Sequence, residues 1–123
     1  MSGAIYATGD IIALSDASEK ENITTIKNAL HLVSRMRGVN YVRKDTGESK
    51  VGVIAQDLQK VLPEVVKPAP FDINILDNDG NTTSKSGENY LTVQYEKIVP
   101  LLVAAIQELN DKVNNLEEQL KNK

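Results

Sequence analysis

Residues 99–120 read "VPLLVAAIQELNDKVNNLEEQL", and this stretch decides the fold. Val99, Ile106, Val113 and Leu120 fall seven residues apart, with Leu102, Leu109 and Leu116 seven apart between them. The spacing is an a/d heptad over about three repeats, the pattern of a helix that supercoils with others. No polar residue interrupts the seam, and after residue 107 everything beside it is polar or charged. An isolated helix carrying such a stripe is marginal in water, so it buries the stripe on its own domain or on copies of itself. The polar flanks favour copies, which predicts a coiled coil over residues 98–123. By the rules for parallel coiled coils, Val and Ile at a with Leu at d favour two strands, so the seam by itself does not specify three. Pro100 either occupies a first turn, where proline is tolerated, or kinks a helix that begins near Tyr95.

Working back from the seam, residues 67–93 place the turn formers "DNDG" and "SKSG" between the apolar runs "FDINIL" and "NYLTV". That pattern predicts a long hairpin arm with polar tips. Before it, "AQDLQKVLPEVV" predicts one short helix ended by Pro63. Residues 39–55, "VNYVRKDTGESKVGVIA", hold two β-rich runs around Asp45-Thr46-Gly47-Glu48 and predict a hairpin. Ile23, Ile26, Leu30 and Val33 form a helical stripe stopped by Gly38, which predicts a helix over about residues 24–36 with the glycine at its C′ position. Ile5, Tyr6, Ile11, Ile12 and Leu14, broken by Gly9, predict one or two short N-terminal strands, the tail of something larger. The fold class expected is therefore α+β, mainly helical.

Composition narrows the function. The 123 residues suit one domain with a modest core, and with four Tyr, one Phe and no Trp that core must be aliphatic and thin. A formal net charge of -3 with scattered lysines and arginines gives no basic footprint for nucleic acid. The absence of cysteine rules out disulfides, thiolate chemistry and cysteine zinc sites. No run approaches the length of a membrane span, and "MSGAIYATGDIIAL" lacks the basic n-region and continuous apolar core of a signal peptide.

Three groups of residues could carry chemistry. Asp77-Asn78-Asp79-Gly80-Asn81 with Glu88 imitates a calcium loop, but the glycine stands at the fourth loop position instead of the sixth, Ser84 takes a usually apolar place, and the flanks are extended. A polar hairpin tip accounts for the same residues. His31 is the lone histidine, beside an apolar stripe, so it reads as a packing or surface residue, with no metal set and no Ser-His-Asp triad. The third group is Ser15, Asp16 and Lys20. A serine hydroxyl needs a base, and lysine serves as one only when burial or nearby positive charge brings its pKa well below the ordinary value. On a continuous helix the two would stand roughly 140° apart, so a working pair needs a turn between them or a second subunit. The competing reading is helix capping.

The order of motifs adds a resemblance. "SDASEKENI", then a helix and "GVNYV", then "GVIAQDLQKVLPEVV", then "NYLTVQYEKIVPLLVAAIQEL" and a heptad tail resemble the C-terminal intramolecular chaperone domain of bacteriophage tail spikes and tail fibres. Endosialidase tail spikes carry this domain, and myelin regulatory factor has a related one. The resemblance covers about residues 10–123. It implies an intertwined homotrimer that aids folding of the upstream fibre of the same polypeptide and is then released by autoproteolysis. It also implies a self-cleaving serine endopeptidase with a Ser15–Lys20 dyad cutting next to Ser15, at the Ser15–Asp16 bond. Residues 1–15 would then be the remnant of the fibre or spike and residues 16–123 the chaperone, in a virion precursor assembled in the host cytoplasm. No cofactor, metal, nucleic acid or membrane partner is implied. The family's usual residues between serine and lysine are more basic than Ala17-Ser18-Glu19 here. The alternative reading is a non-catalytic trimerisation module at a fibre end, with Ser15 as a cap and Lys20 on a solvated face.

Overall fold

A computed structural model describes residues 4–123. Its spine is the helix that the heptads predicted, α3 (Ile98–Lys121), entered through a 3-10 turn at Tyr95–Lys97. Pro100 therefore sits in the first turn, where its missing N–H would have no helical acceptor in any case. The two ends of α3 have different neighbours. Ile98, Leu101, Ala104 and Ala105 are buried, whereas every residue from Leu109 to Lys121 is exposed.

Helix α1 (Ala29–Ser34) packs along the buried part of α3, and the two helices share the cluster Ala29, Leu101, Ala104 and Ala105. This helix is shorter than the apolar stripe predicted. Asn28 takes left-handed backbone angles, φ 57°, which breaks the helical path immediately ahead of Ala29. At the other end Gly38 is not a helix stop; it opens strand β1 (Gly38–Val42).

Strand β1 pairs antiparallel with β2 (Ser49–Val53) as the hairpin expected over 39–55, with Gly47 at φ 75° in its turn. Helix α2 (Ala55–Val61) follows at once and ends before Pro63, which starts a 3-10 turn. Leu58 of α2 packs with Val65, Val66 and Ile98 in a second cluster, and the two clusters share Met36 and Leu62. All buried apolar residues are Ala, Leu, Val or Ile, the thin aliphatic core that the shortage of aromatics required.

The arm is a hairpin built in two ladders. Strand β3 (Val66–Pro68) pairs with β6 (Leu91–Val93) at the root, and β4 (Ile73–Ile75) with β5 (Thr82–Ser84) farther out. Between the ladders lies Asp72, 5 % exposed. Its carboxylate accepts from the Ser84 hydroxyl at 2.5 Å and the Ser86 N–H at 2.8 Å, so a buried charge is satisfied locally. The tip is the polar turn expected in place of a calcium loop: the Asp79 and Asn81 N–H groups and the Asn81 amide all donate to the Asp77 carboxylate.

A further expectation fails. Residues 4–14 form no strand, and each is exposed. A strand requires a neighbour for its backbone groups, and no described strand pairs with this segment. The first three residues of the segment assigned to 1–15 lie outside the described residues. The structure is α+β, with three α-helices and three two-stranded sheets among the described residues.

Candidate active site

The site begins at the end of the extended segment, where the chain turns once at Ala17–Glu19 in a 3-10 conformation. Asp16 caps that turn. Its Oδ1 accepts from the Ser18 N–H at 2.8 Å and from the Ser18 hydroxyl at 2.6 Å, and these two bonds hold its carboxyl below the usual aspartate range. The capping role suggested by the sequence therefore falls to Asp16 and leaves the neighbouring serine hydroxyl free of it.

The turn reverses the chain just far enough to bring Lys20 back over Ser15. Lys20 Nζ donates to Ser15 Oγ at 2.6 Å. The angular offset that a continuous helix would impose never arises, because the main chain is extended at Asp16 and again at Lys20 (ψ 140° and 144°), with a single turn between. One subunit is thus sufficient to bring the two side chains together. Ser15, Asp16 and Lys20 are all exposed in the single chain. The geometry sets an amine beside a hydroxyl, with both side chains open to solvent.

Downstream of the turn, residues 23–26 belong to no regular element and Ile26 packs against the α1–α3 cluster. The segment thus ties the Ser15–Lys20 pair to α3. An open, largely apolar groove of about 390 Å³ lies between this strap and the start of α3, lined by Ile26, Val99, Pro100 and Val103 among others. The seven predicted seam residues Val99, Leu102, Ile106, Leu109, Val113, Leu116 and Leu120 share one property: each is between 41 % and 69 % exposed. The single chain buries its own core with the other side of the helix and leaves the seam uncovered.

Sequence reasoning passed over Glu108, whose carboxylate accepts from the backbone N–H groups of Ala29 and Leu30 at 2.7 and 3.2 Å. A glutamate beside a heptad seam reads as solvated polarity, and a partner 79 residues away leaves no local signal. His31 is exposed on α1, and among the described residues no group of three or more acidic or histidine side chains is arranged to hold a metal ion.

Comparison with known proteins adds a family. Residues 15–67 match the peptidase S74 family, described as the chaperone of endosialidase, and the match begins at Ser15. The long tail fiber protein Gp37 of Enterobacteria phage K3 is 33 % identical over 111 residues, which is 86 % of this chain and 8 % of that protein. The Gp37 protein of Enterobacteria phage M1 is 32 % identical over 130 residues, 96 % of this chain and 46 % of its own length. Myelin gene regulatory factor-like A of Dictyostelium discoideum is 28 % identical over 131 residues, 96 % of this chain and 13 % of that protein. The chain thus spans under a tenth of the first of these relatives and less than half of the second.

Proposed function

Residues 15–67 belong to the chaperone-of-endosialidase family, and on that premise we propose that the chain is the intramolecular chaperone of a phage tail fibre or spike. In this reading three copies associate along the α3 seam, hold three fibre chains in register while they fold, and are then released by autoproteolysis next to Ser15. Residues 16–123 are the chaperone unit, residues 98–123 its coiled coil, and residues 1–15 the end of the client. The hairpin arm is the part that grips the fibre.

The observation that carries the catalytic part is the 2.6 Å hydrogen bond from Lys20 to Ser15. Association that covers the turn would desolvate the ammonium and favour the neutral amine, which alone can accept a proton. Neutral Lys20 takes the proton of the Ser15 hydroxyl, Oγ adds to a carbonyl carbon, and the proton returns to the departing amine as the peptide C–N bond breaks. Water then hydrolyses the ester. Cleavage would thereby report completed assembly. It would also make folding hard to reverse, because separated fibre chains would have lost the clamp that aligned them.

The bond assigned is Ser15–Asp16. Attack by Ser15 on its own carbonyl would close a strained four-membered ring, so that cut requires Ser15 of another subunit or an activated water. The Leu14 carbonyl is reachable within one chain through a five-membered ring. Intact mass of the released piece distinguishes a fragment beginning at Asp16 from one beginning at Ser15.

The test is denaturing mass spectrometry of a longer chain with its upstream fibre. Release of a fragment starting at or next to Asp16 in the wild type, and not in Ser15→Ala, is the expected result. An uncut wild-type trimer would instead support the inert trimerisation module, a reading favoured by the exposure of both dyad side chains in the single chain.

A further inference from the structure

Helix α1 starts without help from its own neighbourhood. Asn28 at its N-cap is in the left-handed region and makes no side-chain cap bond, so the first N–H groups of the helix have no local acceptor. The acceptor comes from α3, where Glu108 spans both Ala29 and Leu30 with its two oxygens. A carboxylate at that position also complements the positive end of the helix. Glu108 is partly buried and directly precedes Leu109 of the seam, while Ala105 one turn earlier lies in the core that α1 shares.

We infer that Glu108 is a positioning residue that carries the state of the α3 seam to the Ser15–Lys20 turn. The inference rests on the reading that these two side chains act together on assembly. The path runs through α3 and α1 and then along the chain: Leu109 packing in an assembled seam fixes the adjoining turn of α3, and Glu108 on that turn holds Ala29 and Leu30. Ile26 is pinned against the same cluster, and the strap from Ile26 leads back to Lys20. The route has one polar joint, and Glu108 is that joint. Charge and two acceptors are both required, since either oxygen alone leaves one N–H without a partner.

The test is amide hydrogen exchange on the full chain as wild type, Glu108→Gln and Glu108→Ala, each measured dilute and again at concentrations where the chain associates. In Glu108→Ala the Ala29 and Leu30 amides are expected to exchange about tenfold faster or more, with Glu108→Gln between. On association the Glu19 and Lys20 amides slow in the wild type and do not in Glu108→Ala, while the seam amides of α3 slow in both. Equal slowing of the turn in wild type and variant would overturn the inference, as would a uniform loss of protection through α1 and α3, the mark of a merely structural role. If Glu108→Ala does not fold, Glu108→Gln carries the same comparison. A wild type whose turn slows on association but whose chain is never cut refutes the dyad and leaves the joint standing. A wild type that never associates refutes both.

Discussion

Replacing Leu116 by alanine separates a seam that binds copies from one that merely faces water. Leu116 is 58 % exposed in the single chain and stands in the part of α3 whose residues are all exposed. Alanine is the better helix former, so the isolated chain should keep its helix and its melting temperature. Complete burial of a leucine contributes about 1.5–3 kcal/mol, and covering the 58 % still exposed contributes about 1–1.7 kcal/mol per chain. Alanine retains only part of that, so the loss is about 1 kcal/mol per chain and about 3 kcal/mol where three leucines meet in one layer. That is roughly a hundredfold in the three-chain association constant. Because this constant scales with the square of concentration, the midpoint of association should move upward by about tenfold, and more if a cavity remains. Sedimentation equilibrium over a dilution series reads the midpoint directly. An unchanged midpoint would refute the assignment of Leu116 to the seam. A drop in stability of the dilute single chain would show that the residue serves the fold and not assembly.

Lys20→Ala is expected to leave association intact and the chain uncut, whereas a normally cut variant, seen as loss of the N-terminal piece by intact mass, would remove Lys20 from the role of base. Acid should loosen the arm. Hydrogen bonds from Ser84 and Ser86 hold the Asp72 carboxyl below the usual aspartate range, so its contribution to stability is fully present above the unfolded pKa of about 4 and is lost as pH falls through the lower folded value. Thermal melts of Asp72→Asn should lack that part of the acid slope, and an identical slope would show that the group does not hold the arm. At Gly52 an added Cβ would lie 2.8 Å from the Tyr95 hydroxyl, so Gly52→Ala should cost about 1 kcal/mol in chemical denaturation. Tyr95→Phe in the same chain should recover most of that loss; no recovery would place the strain elsewhere.

Where the sequence carried a repeating or local signal, it could be read correctly. The heptad drew α3 because every seventh position recurs, and Asp45-Thr46-Gly47-Glu48 drew the first hairpin because a turn is a short-range event. Val99, Leu102 and Ile106, which continue the heptad, are exposed in the single chain, while Leu101 and Ala105, which do not, are buried. The reading failed where a partner decides the outcome. Ile5 to Leu14 have β-favouring side chains and no described strand beside them, so propensity without a neighbour yields no ladder. The stripe from Ile23 to Val33 predicts one helix over about residues 24–36, yet Asn28 with φ 57° precedes a helix of only Ala29–Ser34. The Ser15–Lys20 pair was legible as residue types, but the single 3-10 turn that joins them depends on Asp16 accepting from Ser18. Glu108 was invisible because its partners are remote in the chain.

The division of the interior into two clusters linked through Met36 and Leu62 bears on how a lone chain comes apart. Two small cores with so narrow a joint behave as two units of cooperativity, and the one built from α1 and the first turns of α3 can open while the other persists. Before its copies arrive, the chain can therefore release α1, and with it the strap leading to Lys20, without losing the hairpins or α2. Under the function proposed above, such partial opening would act as a safety catch: a solitary chain could let the Ser15–Lys20 turn drift from α3, and association would hold it in place.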